Sequence, residues 1–511
     1  MVFSSATFLL AFLPCCLALY FAVPGRKAKN IVLLLFSLVF YAWGEPVYIA
    51  LMLASIFINW FGGLAIEKAG TEGGSKKARL VLTLVLDLAI LGFFKYESFL
   101  SDNINSVFGA ELVPDLELPL PIGISFFTLQ AVSYIIDVYR KDVPAQTNVL
   151  NFGLYISMFP QLVAGPIVRY STIQDQILNR RENLRDFSSG LRLFAIGLSK
   201  KVLLANTVAI LADKMLRIGG ESIGFVGAWA GLAAFTFQIF FDFAGYSDMA
   251  IGLGKMFGFK YLRNFNYPYI SKSVTEFWRR WHISLSTFFR DYIYIPLGGN
   301  RVSKLRWCFN LCVVWALTGF WHGAAWNYIG WGVFYGAILL LEKLWLGERL
   351  KRLPSALQHV YCVLVFMFGW LIFWIEDPLV FSSYLTALFG GYGMTGTNTF
   401  WELTAWEYWP IFLACVVAST PIVPLIRARL ICWARSSDFS FSEFMNKDLP
   451  GVKSISTDGL CEFEPLPSMG KRRIVVLAVG YCADVALVML LLLSVLSVVS
   501  GSFNPFIYFR F

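Results

Sequence analysis

The sequence predicts an all-α polytopic membrane protein with about eleven or twelve membrane segments, including re-entrant and interfacial helices around a central tunnel. Three observations carry this expectation. The 511 residues are 57% hydrophobic and only 15% charged, whereas soluble domains carry about 25% charged residues. The mean hydropathy is +0.63, more apolar surface than a water-soluble core can absorb. The apolar residues also lie in long blocks, and the short linkers between the first blocks alternate between basic and non-basic. No polar stretch is long enough to form a soluble domain. Residues 1–511 therefore read as a single membrane-embedded domain, with 434–472 as a polar loop within it.

The first four blocks are 5–23, 31–44, 47–66 and 80–94. No basic residues precede the first, so it reads as a span rather than a cleaved signal peptide. The first linker carries Arg26, Lys27 and Lys29, and the third carries Lys68, Lys76, Lys77 and Arg79. The second is the short Gly44-Glu45-Pro46, and the fourth, 96–120, holds acidic residues with no Lys or Arg. The positive-inside rule puts the N-terminus outside and the basic loops in the cytoplasm. Block 121–139 reads as a span, and 150–165 is broken by Pro160 and by Gly165-Pro166. Block 189–215 has Lys200-Lys201 at its centre. Two adjacent lysines at mid-bilayer cost several kcal/mol, so a re-entrant or interfacial segment is expected there. Block 223–258 contains Asp242 and Asp248.

Residues 260–306 carry nine Lys or Arg against Glu276 and Asp291, which predicts a cytoplasmic segment. From Trp307 to Leu341 there is no Asp, Glu, Lys or Arg. Further spans are expected near 356–375, 407–425 and 473–499. The net charge of +9 fits this topology, and nucleic-acid binding is not expected. The nine cysteines form no CxxC pair and lie mostly in apolar runs, so neither a disulfide framework nor a metal site is expected.

Chemistry near neutral pH falls to few side chains, and the chain has three histidines. His359 opens an apolar block and reads as interfacial. His322 lies deep in the charge-free block, flanked by Gly319 and Gly323. An ionisable residue at such depth marks a functional site; the competing reading is a histidine bonded between helices. His282 ends the segment Ser273 to His282, where Ser273 and Glu276 form a capping box. One continuous amphipathic helix from there would align Thr275, Arg279, His282, Ser286 and Arg290 beside an apolar face of Val274, Trp278, Trp281, Leu285 and Phe289. A purely interfacial role for that helix is the alternative.

Familiar soluble-enzyme signatures are absent. Gly245-Tyr246-Ser247-Asp248-Met249 lacks the second Gly of a nucleophile elbow. There is no HExxH and no P-loop. On these residues alone, a transporter or flippase for a lipid-linked or anionic small molecule competes with an enzyme, supported by Asp242, Asp248 and His322 inside apolar blocks.

The segment from Phe277-Trp278-Arg279-Arg280-Trp281-His282 through Ser286, Arg290 and Asp291 to Arg301 resembles the bacterial alginate O-acetyltransferase branch of the membrane-bound O-acyltransferases. Phe320-Trp321-His322-Gly323 is similar to that family's second histidine motif. Met1 to Ser5, Gln161 with Gly165-Pro166, Phe241-Asp242 with Gly245 to Met249, and Asn504 to Phe511 are similar as well. The resemblance implies a multi-pass enzyme of the plasma or inner membrane. It would move an acyl group, acetyl by that resemblance, from a cytoplasmic thioester such as acetyl-CoA toward hydroxyls of an exported or cell-surface polysaccharide. It implies His322 as the catalytic histidine and His282 as a second active-site or donor-path residue. Arg279, Arg280, Arg290, Ser286 and Trp281 would line the donor site, where the arginines could hold a coenzyme's phosphates. The donor is a co-substrate; no bound cofactor is implied. A secreted or membrane-anchored partner protein would complete transfer to the polymer. Whether His322 is a general base or a transient acyl carrier stays open on these residues.

Overall fold

A computed structural model describes residues 1–69, 74–163, 165–394, 396, 406–434, 452–455, 461–463 and 471–501. The terminal motif Asn504 to Phe511 and most of the 434–472 loop lie outside the described residues. Among the described residues, a short antiparallel hairpin in that loop, Val452–Ile455 with Cys461–Phe463, is the one departure from an all-helical chain.

Among the described residues, seven helices are long and apolar enough to cross a membrane, or eight if the pair Trp409–Ala418 and Ile422–Ala434, bent by 52°, forms one span. The remaining apolar segments are shorter or more polar than that, so the expected eleven or twelve segments are not all full spans.

The N-terminal half runs α1 (Leu13–Ala22), α2 (Arg26–Gly44), α3 (Ile49–Ala69), α4 (Lys76–Phe108) and α5 (Ile124–Arg140). Pro24 and Gly25, the latter at φ 76°, end α1 and turn the chain into α2. Block 150–165 breaks into α6 (Val149–Ser157) and α7 (Phe159–Leu162), with Pro160 in the first turn of α7. Then come α8 (Tyr170–Asn179), α9 (Leu184–Ser199), α10 (Asn206–Arg217) and α11 (Gly220–Met256).

The lysine pair behaves differently from expectation. Helices α9 and α10 join through a π-helical turn, Lys200–Ala205, into one span of 34 residues rather than a re-entrant segment. The charges are tolerated because each meets a carboxylate on α11. Lys201 lies 2.6 Å from Asp242, both side chains 2% exposed, and Lys200 lies 2.7 Å from Asp248. Helix α9 reaches α11 across a glycine contact. A Cβ on Gly197 would stand 2.5 Å from the Gly245 carbonyl oxygen, so only glycine lets the two backbones approach this closely.

Residues 260–303 hold two short helices, α12 (Val274–Arg280) and α13 (Ile283–Phe289), then a π-helical turn at Arg290–Tyr294. The charge-free block is a helical hairpin, α14 (Lys304–His322) and α15 (Trp326–Leu341). It packs against α17 (Ser355–Trp374), which follows the short α16 (Gly347–Leu350). The chain continues with α18 (Pro378–Leu388), the bent pair α19 (Trp409–Ala418) and α20 (Ile422–Ala434), and α21 (Lys471–Val499).

Candidate active site

His322 is the last residue of α14, about 27 Å along the helix from Lys304. Gly323 is extended and stops the helix there. Any side chain at 323 would collide with the Tyr328 ring, 2.2 Å from a built Cβ, so the α14–α15 turn requires glycine. Only 7% of His322 is exposed. Its ring meets Trp321 and Trp331 at 5.0 Å and Phe373 at 5.3 Å, each edge to face. No group among the described residues hydrogen-bonds its imidazole. His322 instead lines a cavity of about 40 Å³ together with Lys95, Pro121, Gly123, Ser125 and Val163.

His282 departs from its expected setting. The amphipathic helix stops at Arg280, and His282 takes left-handed backbone angles, φ 43° and ψ 55°, before α13 begins. This break turns the side chain inward, 2% exposed, instead of onto a polar face. Tertiary hydrogen bonds hold both ends of α12. The Glu342 carboxylate accepts the N–H groups of Val274 and Thr275 and so caps α12 alongside Ser273. At the other end the backbone N–H of Ile283 donates to the Asn264 carbonyl at 2.9 Å, and that of Asn266 to the Arg280 carbonyl at 2.9 Å.

The same asparagine sets the imidazole. Asn264 Oδ1 accepts from the Ser284 N–H at 3.2 Å and the Ser284 hydroxyl at 2.9 Å, which identifies it as the oxygen. His282 Nδ1, 3.2 Å away, must then be the donor. Nε2 is buried without a partner among the described residues and carries the lone pair. Ser284 Oγ in turn accepts the Ile167 N–H at 3.0 Å, tying the Gly165-Pro166 segment to this site. The two histidines come close together: the Trp321 ring lies 6.4 Å from His282 and 5.0 Å from His322.

The expected donor residues do not converge in the same way. Trp281 is buried against Phe277 and Trp370 and belongs to the aromatic core. Ser286 Oγ donates to the Trp278 carbonyl. Arg280 is committed to Glu276 and the Asn266 carbonyl. Arg290 pairs with Asp291, which Arg169 also contacts at 2.8 Å. Burial pushes the Asp291 carboxyl up, but hydrogen bonds from Arg290 and Arg169 outweigh it and hold it below the usual carboxylate range. Arg279 remains exposed. Asp242 and Asp248, which favoured a transporter, are spent on the two lysines of the α9–α10 span.

Sequence reasoning missed Asn264, Glu342, Ser125 and Lys95. Only Lys95 left a signal: it is a lone lysine at the non-cytoplasmic end of an apolar block, against the positive-inside trend.

A sequence model of the membrane-bound O-acyltransferase family matches residues 78–386. The chain is 39% identical to the "Probable alginate O-acetylase AlgI" of Azotobacter vinelandii and 38% identical to that of Pseudomonas aeruginosa, with 100% of both chains covered in each case. It is 36% identical to the peptidoglycan O-acetyltransferase of Helicobacter pylori, over 78% of this chain and 81% of that one. Both histidines lie inside the matched region, and the opening motif packs onto another of the segments that carry the resemblance, with Phe3 stacked on Tyr246 at 4.4 Å. The chain is a multi-pass membrane enzyme that transfers acyl groups, and it belongs to the membrane-bound O-acyltransferase family.

Proposed function

We propose that this protein moves an acetyl group from a cytoplasmic thioester, such as acetyl-CoA, to hydroxyls of an exported polysaccharide at the inner membrane. The observation that carries the reading is His322: buried at a helix end, its imidazole without a hydrogen bond among the described residues, and lining a cavity near a second histidine. The relatives named as alginate and peptidoglycan acetylating enzymes support a polysaccharide acceptor.

In this reading His322 accepts the hydroxyl proton as the oxygen attacks the thioester carbonyl. The new C–O ester bond forms, the C–S bond breaks, and the leaving thiolate takes the proton back from the imidazolium. His282, one aromatic ring away, stands on the donor path. The donor's charged carrier stays on the cytoplasmic side and only the acyl end enters the protein, because carrying the charge across lipid is costly. A narrow tunnel from the basic 260–306 segment to the His322 cavity would join the two sides. A secreted or membrane-anchored partner protein receives or presents the polymer outside.

The test is acyl transfer by purified protein in nanodiscs, given acetyl-labelled acetyl-CoA and a soluble oligosaccharide acceptor. The expected result is ester-linked label in the acceptor with one free thiol released per ester formed. Label that crosses a proteoliposome membrane with no thiol released would overturn the reading.

A further inference from the structure

The end of α14 poses a problem that α4 solves. The last carbonyls of a helix lack intrahelical partners, and here those of Trp321 and His322 are buried. Three successive carbonyls find donors on neighbouring residues of α4. The Tyr96 hydroxyl donates to the Phe320 oxygen at 2.6 Å, and its ring stacks on that of Phe320 at 4.0 Å. Lys95 Nζ donates to the Trp321 oxygen at 2.5 Å and to the His322 oxygen at 3.2 Å. Its third N–H reaches Ser125 Oγ at 3.2 Å, at the start of α5.

Lys95 is 8% exposed, and among the described residues no carboxylate pairs with it. A buried amine held by neutral oxygens and the face of the Trp321 ring, without a counterion, is costly to keep. A methionine would fill the same volume at less cost if packing were the only need. The cation also sits where a helix C-terminus favours positive charge, and it shares the cavity wall with His322.

We infer that Lys95 is a positioning residue for acyl transfer: its ammonium, with the Tyr96 hydroxyl beside it, clamps the end of α14 so that the His322 imidazole faces the cavity. The inference rests on the reading of His322 as catalytic. Ser125 extends the clamp to α5, so a single side chain sets α14 against the cavity's opposite wall. Placement within a fraction of an ångström matters for proton transfer to a base, and a helix end without its cap frays.

The test compares Lys95→Met, Lys95→Arg and Tyr96→Phe in nanodiscs, with two readouts. The first is steady-state kinetics. Lys95→Met is expected to lower kcat by about 100-fold with donor KM changed less than about twofold. Lys95→Arg, which keeps the charge and donors, recovers part of that loss. The second readout is independent of activity: the rate at which diethyl pyrocarbonate modifies His322, followed by peptide mass spectrometry with His359 as internal standard. Lys95→Met is expected to raise the His322 rate several-fold relative to His359. Wild-type kcat in Lys95→Met, or an unchanged His322 rate, overturns the inference. If Lys95→Met does not fold, Tyr96→Phe decides, with kcat expected to fall about fivefold and the His322 rate to rise; wild-type values for both overturn it. Full activity in His322→Ala would remove the catalytic reading instead, and the modification rate would still decide whether Lys95 holds that imidazole.

Discussion

Two buried lysines divide this protein into a region built for packing and a region built for chemistry. Lys201 sits 2% exposed in the α9–α10 span with Asp242 at 2.6 Å, in an interface where glycine backbones touch. Lys95 is 8% exposed in α4 and, among the described residues, meets a hydroxyl, two backbone carbonyls and the face of the Trp321 ring, with no carboxylate. The first charge is neutralised locally and its site is full. The second has no counterion among the described residues and lies next to a cavity and a histidine whose imidazole finds no hydrogen-bond partner among them. A buried charge with its counterion joins two helices. A buried charge without one, at the end of the helix that presents His322, is retained for what it does to that end.

The comparison can be broken first by stability. Lys201→Met strands Asp242 in the interior, and breaking one side of a buried pair costs about 3–5 kcal/mol. Thermal unfolding in detergent should show the large drop. Lys95→Met removes its own charge and leaves only neutral carbonyls short of partners, which costs about 1–2 kcal/mol. Equal losses in the two variants would erase the distinction between the regions.

A smaller effect sharpens the chemical half. Asn264→Leu removes the acceptor that fixes Nδ1 of His282 as the protonated nitrogen. Turnover should fall on the order of 100-fold, the lower end of what a correctly placed acid–base group supplies. Unchanged kcat would mean that the tautomer of His282 is irrelevant. The smallest effect belongs to the exposed arginines. Arg279→Ala should raise donor KM by about fivefold with kcat little changed. Arg290→Ala should cost under about 1 kcal/mol of stability, because its pair with Asp291 is solvent-exposed. Arg280→Ala should act on stability rather than KM, since its guanidinium is committed to Glu276 and Asn266.

Much of this was legible from the chain alone. Block hydropathy gave the membrane class. The glycines around His322 marked a place where helices approach and stop, and the structure puts the end of α14 there. What escaped is what distant residues impose. The spacing from Val274 to Phe289 fits one helix, and nothing local announces the break at His282; it is held by Asn264 and Asn266. Lys200-Lys201 suggested a re-entrant segment because their carboxylates lie on another helix, more than 40 residues away in sequence. Lys95 looked like the edge of an apolar block, because its role depends on carbonyls more than 200 residues later. Membrane patterning is written in composition and survives a reading along the chain. Site geometry here is made almost entirely of cross-helix hydrogen bonds.

The central claim is that His322 performs the chemistry from the end of α14. The direct measurement is acetyl transfer by wild-type protein and His322→Ala, both monodisperse in nanodiscs, with kcat and donor affinity determined separately. The account predicts a fall in kcat of about 1,000-fold or more, with donor affinity within about twofold of wild type. Turnover near wild type in a folded His322→Ala protein would contradict it.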